Sequence, residues 1–252
     1  MQKDESNTID LPNGFVCYLP SKKMRPTVRT TIKEVFTDQR YRRAGFELKP
    51  DDDVIDIGAN IGIFTLWASP QVPHGRILAV EPSPAIDILR SNLDFNRVRN
   101  ATSLRAAVGK ADGELQLVFY PYVDVMTHNA DLRHGWLMRR LLSRARSERI
   151  SVSTISLGQV IERGQMTGVD YLKIDCEGGE YDICRNATSA DWRRVRRVSL
   201  EFHEYSPGHH HEELLDILRS NGFGVEVRRA WWQRALTRTG EIWASRQGSE
   251  TP

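Results

Sequence analysis

The chain has 252 residues, of which 40% are hydrophobic, so it can form the core of one ordinary domain and is not a disordered chain. Its formal net charge is only +2, so no overall field favours nucleic acid as a partner. Three scattered cysteines, Cys17, Cys176 and Cys184, exclude a disulfide framework. The N-terminus does not resemble a secretory signal, and no stretch approaches the ~20 apolar residues of a membrane span. We therefore expect a soluble, cytoplasmic protein.

Residues 1–50 are predicted to form an N-terminal extension. The segment 14–20 is typical of a strand in a small hairpin, with Asn13 and Gly14 as its turn. A short helix is predicted at 27–37, followed by an irregular link to residue 50. Residues 51–252 are predicted to form the main domain.

From residue 53 onward, short apolar strands alternate with helices. The predicted strands lie at 53–58, 76–82, near 103–108, at 115–119, at 151–155, from Tyr171, at 195–203, at 223–228 and at 240–246. The predicted helices lie at 61–69, at 84–96, directly after the strand that begins at Tyr171, and at 211–223. This alternation predicts an α/β fold, a parallel sheet with helices on both faces, whose ligand site lies at the carboxyl ends of the strands.

The first strand-to-helix turn reads Asp56-Ile-Gly58-Ala59-Asn60-Ile-Gly62. Its glycines allow a tight turn and a close approach of the backbone to a ligand, although a plain turn would also use them. A dinucleotide fingerprint would need glycine where Asn60 and Ile63 stand, and the Gly-Lys-Ser/Thr of a phosphate-binding loop is missing. The turn is therefore predicted to serve a nucleoside without a pyrophosphate.

Glu81 closes the second strand of the main domain, directly before Pro82. A carboxylate at this position can accept hydrogen bonds from both hydroxyls of a ribose, and charge-assisted bonds of this kind contribute about 1.5–3 kcal/mol. The alternative is a surface glutamate that happens to precede a proline.

Four segments resemble the FkbM family of O-methyltransferases, which belongs to the class I S-adenosylmethionine methyltransferases. They are VIDIGANIGIFTLWAS, GRILAVEPSP with the following LRSNLDFN, AAVG at 106–109, and YLKIDCEGGEYDI, and the similarity runs from about residue 30 to about residue 205. Two positions depart mildly from the family pattern, since Cys176 stands where an aliphatic residue is common and Ser83 where Asn is common.

The resemblance implies a Rossmann-like class I methyltransferase sheet, mostly parallel with an antiparallel last strand. It also implies S-adenosylmethionine as the cofactor and methylation of a hydroxyl on a sugar, glycolipid, polyketide or similar small molecule. The cofactor contacts that it implies come from Asp56, Gly58, Ala59, Asn60, Gly62, Glu81, Pro82, Ser83, Ala107, Val108 and Asp175.

The strand that begins at Tyr171 ends in two carboxylates, Asp175 and Glu177, followed by two glycines. Lys173, Asp175 and Glu177 would share one side if the strand continued. We interpret the acids as lying past the carboxyl end of the strand, at the floor of the active site. For Glu177 the alternative is a cap on the next helix.

The next strand supplies Glu201 and His203, two residues apart. In class I methyltransferases this strand pairs with the preceding one, so both side chains should lie near Asp175. We hypothesise that His203, with Asp175 or Glu201, removes the proton of the acceptor hydroxyl. The alternative is a structural histidine. Glu177, His203 and Trp136 are predicted to contact the substrate.

A metal site is not predicted, although these acids and His203 offer ligands that suit Mg²⁺. The three histidines at 209–211 are interpreted as the start of a helix near the substrate entrance. Residues 121–149 form an insert with a basic second half, a candidate lid or acceptor site; the alternative is a solvated helix. The basic charge of the insert, together with Trp231 and Trp232, is compatible with contact with a lipid surface or with packing in a homodimer.

The sequence disfavours two alternative functions. An RNA methyltransferase is disfavoured by the small net charge and by the lack of an aromatic platform for single strands. A module that binds S-adenosylmethionine without catalysis is disfavoured because the acids Asp175 and Glu201 and His203 are present.

Overall fold

The computed structural model describes residues 7–38, 40–41, 43–119, 127–129, 147–229 and 238–246. In chain order the strands are β1 (Thr8–Asp10), β2 (Val16–Tyr18), β3 (Val54–Ile57), β4 (Ile77–Val80), β5 (Ala101–Leu104), β6 (Ala107–Val108), β7 (Gly113–Phe119), β8 (Thr127–Asn129), β9 (Glu148–Ile155), β10 (Val169–Ile174), β11 (Val195–His203), β12 (Phe223–Arg228) and β13 (Thr239–Arg246).

The helices lie between these strands. They are α1 (Arg25–Ile32), α2 (Ile63–Ala68), α3 (Ala85–Phe95), α4 (Leu157–Arg163), α5 (Glu180–Asn186), α6 (Ser189–Arg193) and α7 (His211–Ser220). A π-helical turn, Lys33–Thr37, continues α1. None of the helices in these ranges is long and apolar enough to cross a membrane.

Seven strands form the main sheet, in the order β12-β13-β11-β10-β3-β4-β5. Neighbours from β11 to β5 run parallel, and β13 runs antiparallel to both β11 and β12. The central strands are short and apolar, and all four residues of β3 are buried, as expected for a sheet covered on both faces. The predicted fold, mostly parallel with an antiparallel last strand, is confirmed.

Helices cover both faces of the sheet. One core contains buried residues of α1, α2 and α3 together with the N-terminal hairpin. The other contains buried residues of α4, α5, α6 and α7. In α7 the buried residues Leu214, Leu215 and Leu218 follow the helical period and face this second core. The hairpin and α1 thus pack into the same core as α2.

A second sheet, in the order β6-β9-β7-β8, stands beside the main one. The strand expected near 103–108 is in fact divided, because β5 lies in the main sheet and β6 in the second. Burial in β7 and β9 alternates along much of each strand. Such alternation is typical of an antiparallel sheet with one solvated face and explains why these segments do not join the main sheet.

The order of the main sheet reverses between β3 and β10, since β4 and β5 follow on one side and β11 and β13 on the other. The register places Ile174 of β10 opposite Ile57 of β3 and Leu200 of β11. The carboxyl ends of these strands therefore meet at one edge, which is where ligands bind in open α/β sheets.

Candidate active site

A cavity of about 960 Å³ lies at this edge. The sequence-predicted residues that line it are Gly58, Ala59, Asn60, Glu81, Pro82, Ala107, Val108, Asp175, Glu177, Glu201 and His203. Residues of α1 and of the π-helical turn, including Thr27, Thr31 and Glu34, form a further wall. Pockets for small molecules typically measure about 300–1,000 Å³, so this cavity has room for more than one small group.

Close packing within the protein explains the two glycines of the β3–α2 turn. Gly58 has φ +77°, and a Cβ there would lie 1.8 Å from the backbone oxygen of Asp175. Gly62 has φ +91°, and a Cβ there would lie 3.1 Å from Leu89. Contacts within the protein thus already require glycine at position 58, which also lines the cavity, whereas Gly62 is not among the described residues that line it.

Glu81 connects the β3–α2 turn to the end of β4. The backbone N–H of Asn60 donates to its Oε2 over 2.9 Å, and the backbone N–H of Ser83 donates to its Oε1 over 2.9 Å. Burial raises the pKa of Glu81, and these hydrogen bonds oppose the change. Ser83 is itself fully buried, and its hydroxyl accepts from the N–H of Ala85, so it supports Glu81 rather than lining the cavity.

Asp56 is fully buried and holds Lys173 instead of reaching the cavity. Lys173 Nζ lies 2.9 Å from Asp56 Oδ1, and Thr65 Oγ1 donates to Asp56 Oδ2 over 2.8 Å. The same Nζ donates to the carbonyl oxygen of Gly58 over 3.2 Å and lies 3.9 Å from Asp175 Oδ2. Burial alone would lower the pKa of Lys173, but Asp56 raises it above its usual range. Lys173 thus joins the β3–α2 turn to the end of β10.

Asp175 and Glu201 lie in the same cavity, beside Arg40. Burial would raise the pKa of Asp175, but the cations Lys173 and Arg40 lower it below its ordinary value. Burial raises the pKa of Glu201 to about 7, against the opposing effect of Arg40. Sequence reasoning missed Arg40, because it lies in the N-terminal segment, far from any motif.

His203 is almost completely buried, with 4% of its side chain exposed. Its Nδ1 lies 3.0 Å from Glu180 Oε1, while its Nε2 lies 3.7 Å from Glu177 Oε2 and 3.9 Å from Glu201 Oε1. Burial alone would lower the pKa of His203, but Glu180 and Glu177 raise it well above its usual range. The surrounding carboxylates therefore favour the protonated form of the imidazole. Sequence reasoning missed Glu180, although it lies in the same motif as Asp175.

Glu177 lies in the turn after β10 with a left-handed backbone, φ +50°. Tyr205 Oη donates to its Oε2 over 3.2 Å. Burial raises the pKa of Glu177, and His203 opposes the change. The capping alternative does not describe Glu177, because the N-cap of α5 is Gly179 and the Glu177 side chain is turned towards His203.

The histidines at 209–211 lie at the start of α7, which begins at His211. His211 Nδ1 is 2.9 Å from Glu204 Oε1, and its ring stacks on Phe202. His209 stacks on Tyr181. None of the three is among the described residues that line the cavity.

Several predicted features lie outside the described residues. They include Trp136, Trp231, Trp232 and most of the insert, 121–126 and 130–146. Residues 127–129 of the insert form β8, which pairs with β7.

Two groups in the described ranges have ligand atoms close enough to hold a metal. They are Asp175, Glu180 and His203, and Glu204, His210 and Glu212. In the first group Glu180 and His203 are hydrogen-bonded to each other, so their proximity is explained without an ion.

A sheet of this order, with helices on both faces and a cavity at the carboxyl ends of its central strands, is the Rossmann-like fold of class I methyltransferases. The family model for the methyltransferase FkbM domain matches residues 56–225, and the chain belongs to this family of methyltransferases.

Relatives and a solved structure agree with this assignment. The chain is 32% identical over 242 residues to the 31-O-demethyl-FK506 methyltransferase FkbM of Streptomyces tacrolimicus, covering 88% of this chain and 90% of the relative. It is 25% identical over 174 residues to the hexuronic acid methyltransferase AglP of Haloferax volcanii, covering 68% of this chain and 65% of the relative.

The crystal structure of methyltransferase FkbM from Methylobacillus flagellatus KT superposes with a TM-score of 0.51 at 14% identity, covering 90% of this chain and 56% of that one. At this identity the likeness concerns the fold alone.

Proposed function

We propose that this methyltransferase transfers a methyl group from S-adenosylmethionine to a hydroxyl of a small-molecule acceptor. One observation carries the proposal: a single cavity is lined both by Gly58 and Glu81 and by Asp175, Glu201 and His203. A donor bound beside Gly58 and Glu81 and an acceptor bound beside His203 would therefore share one cavity, which is the arrangement that group transfer needs.

The part of the cavity lined by Gly58, Asn60 and Glu81 suits the nucleoside of the cofactor. Glu81 presents a carboxylate that the N–H groups of Asn60 and Ser83 hold in place, so its orientation is fixed before a ribose binds. Pro82 and Val108 give apolar walls for the base. S-adenosylmethionine supplies an electrophilic methyl group on a positively charged sulfur, and the acids beyond Gly58 favour a positive charge.

The part of the cavity beside His203 is the proposed site of proton removal. The carboxylates around His203 favour the protonated imidazole, whereas only the neutral imidazole can accept a proton. A positive charge that enters the cavity lowers the pKa of a nearby imidazolium, and we propose that His203 becomes the base in this way. Asp175 and Glu201 would act with it, and the pKa of Glu201, about 7, also suits proton transfer near neutral pH.

The proposal that the acceptor is a small molecule rests on the relatives and on the cavity. The names of two relatives state substrates that are small molecules, 31-O-demethyl-FK506 and a hexuronic acid. α1 and the π-helical turn add Thr27, Thr31 and Glu34 to the walls of the cavity. A cavity with hydroxyl and carboxylate groups suits a hydroxylated molecule, which would lie beside His203.

Calorimetric titration with S-adenosylmethionine and S-adenosylhomocysteine tests the proposal. We expect micromolar binding by the wild type and a loss of at least about tenfold in Glu81→Ala, as the removal of charge-assisted bonds predicts. Glu162→Gln on the exposed face of α4 serves as the control. A folded wild type that binds neither compound would overturn the proposal. If the wild type binds them, methyl transfer to a panel of sugars, glycolipids and polyketides is the next assay.

A further inference from the structure

Glu180 is the most deeply buried carboxylate around His203. It is the first residue of α5, and none of its side chain is exposed. The backbone N–H of Cys176 donates to its Oε1 over 2.8 Å, and the backbone N–H of Gly178 donates to its Oε2 over 3.0 Å. Both donors belong to the turn that follows β10. The turn therefore holds the carboxylate in one orientation.

His203 is the side-chain partner of this carboxylate, with Nδ1 3.0 Å from Oε1. Because a carboxylate that receives two backbone N–H bonds acts as an acceptor, Nδ1 must carry hydrogen and donate it. When the ring is neutral, its lone pair therefore lies on Nε2. That atom is on the side of Glu177 and Glu201, two residues that line the cavity.

The backbone of the turn is shaped around the Glu180 carboxylate. Glu177 has φ +50° and Gly178 has φ +103°, both in the left-handed region. Glutamate rarely adopts this conformation, and it persists only where the surroundings impose it. Here it allows the N–H groups of Cys176 and Gly178 to converge on one side chain. A simple connection between a strand and a helix needs neither the strained residue nor the buried acid.

We infer that Glu180 is a positioning residue, which holds the Nδ1–H of His203 so that Nε2 is the ring atom presented to the acceptor hydroxyl. The role of Nε2 rests on the proposed function, whereas the tautomer follows from the geometry of the free protein. The hydroxyl proton would pass to Nε2, and the hydrogen on Nδ1 would stay between His203 and Glu180. Glu201 cannot replace Glu180 in this role, because its carboxylate lies on the Nε2 side of the ring.

The tautomer can be measured directly in the wild-type protein without any ligand. Two-bond ¹H–¹⁵N spectra of protein labelled at its seven histidines, assigned with His203→Gln, report which ring nitrogen carries hydrogen. In a titration towards alkaline pH, we expect the neutral form of His203 to keep its hydrogen on Nδ1. A neutral form with hydrogen on Nε2 would overturn the inference.

Glu180→Met is the test variant, because it fills a similar volume and removes the acceptor, and Glu180→Gln is its matched control. Oε1 both receives the N–H of Cys176 and faces Nδ1, so the amide oxygen of the glutamine takes that position and still accepts from Nδ1. We expect Glu180→Met to lose the fixed Nδ1–H tautomer of the neutral ring and its methyl transfer to the best acceptor of the wild type to fall ~10²–10⁴-fold, whereas Glu180→Gln should keep the hydrogen on Nδ1 and most of the turnover. Affinity for S-adenosylhomocysteine should change by less than about threefold. Glu162→Gln is the control for a glutamate-to-glutamine change at an exposed position.

The two proposals fail in different ways. A wild type that binds no S-adenosylmethionine overturns the proposed function, while the NMR titration still decides whether Glu180 sets the tautomer. A Glu180→Met variant that keeps the wild-type tautomer and turnover overturns the positioning role, even if cofactor binding is normal. Equal losses of turnover and of S-adenosylhomocysteine affinity in Glu180→Met would also overturn it, since they indicate a structural role only.

Discussion

Arg40 Nη2 lies 2.5 Å from Oε2 of Glu201, so the N-terminal segment contributes a cation to the acids at the ends of the strands. The same guanidinium places its Nε 2.7 Å from Glu241 Oε1. Glu201 and Glu241 are direct partners in the β11–β13 pair, where two like charges destabilise a sheet. Arg40 offsets that repulsion and connects the segment after α1 to the active site.

Replacing Arg40 by methionine should destabilise the protein by about 1–3 kcal/mol, because it leaves two partly buried carboxylates without their shared cation. It should also raise the pKa of Glu201 further above about 7. Urea unfolding measures the first effect. The double variant Arg40→Met with Glu241→Gln should recover part of the loss, and Arg219→Met on the exposed side of α7 is the control. Equal stabilities of Arg40→Met and wild type would contradict the bridging role.

Replacing Lys173 by methionine should cost about 3–5 kcal/mol of unfolding free energy, since it leaves Asp56 charged and buried without a partner. A double-mutant cycle with Asp56→Asn provides the measurement. We expect the double variant to be more stable than Lys173→Met alone, because the unpaired charge is gone. Lys33→Met, at a lysine with 69% of its side chain exposed, should have little effect. Additive losses in the cycle would show that the two side chains do not interact energetically.

His203 should make stability depend on pH in a defined direction. Its pKa in the folded protein is raised well above the usual 6.5. The protonated side chain therefore stabilises the fold fully below pH 6.5, and this contribution is lost as pH rises through the folded pKa. Each unit of the shift corresponds to about 1.4 kcal/mol.

The comparison uses unfolding of the wild type and of His203→Gln at about pH 6, 7.5 and 9. These values span the range in which histidine titrates. The advantage of the wild type should be largest at the acidic end and should shrink towards the alkaline end. His74→Gln, at an exposed histidine, is the control. An advantage that grows with pH would contradict the raised pKa of His203.

The sequence was sufficient to predict the alternation of strands and helices and the place of the site, because apolar periodicity and glycine turns are local signals. The sequence also predicted that Asp175, Glu201 and His203 lie in the same region, because strand pairing follows from the fold. It could not distinguish the structural acid Asp56 from the cavity acid Glu81. That difference depends on Lys173, which lies 117 positions from Asp56 in the chain.

Arg40 and Glu180 were missed for different reasons. Arg40 reaches Glu201 from a segment without any motif, and only tertiary packing brings the two together. Glu180 lies within the motif that supplied Asp175 and Glu177, but its role depends on a turn with left-handed backbone at Glu177 and Gly178. No residue pattern signals this turn, because glutamate seldom adopts that conformation.

Gly58→Ala should be far more damaging than the same change at Gly14. Both glycines have a left-handed backbone, with φ +77° and φ +84°. Alanine in that conformation costs roughly 1–2 kcal/mol at either position. At Gly58 the new Cβ would also lie 1.8 Å from the backbone oxygen of Asp175, whereas at Gly14 no atom of the described chain lies within 4 Å. The difference between the variants therefore isolates the close approach of the β3–α2 turn to the end of β10.

Thermal and urea unfolding of both variants measures this difference. We expect Gly14→Ala to lose about 1–2 kcal/mol and to keep its affinity for S-adenosylhomocysteine. Gly58→Ala should lose more than about 4 kcal/mol, or keep its fold only by moving the turn away from Asp175 and losing that affinity. Similar losses of stability and unchanged binding in the two variants would mean that the turn and Asp175 can separate freely. The cavity would then not depend on the contact between them.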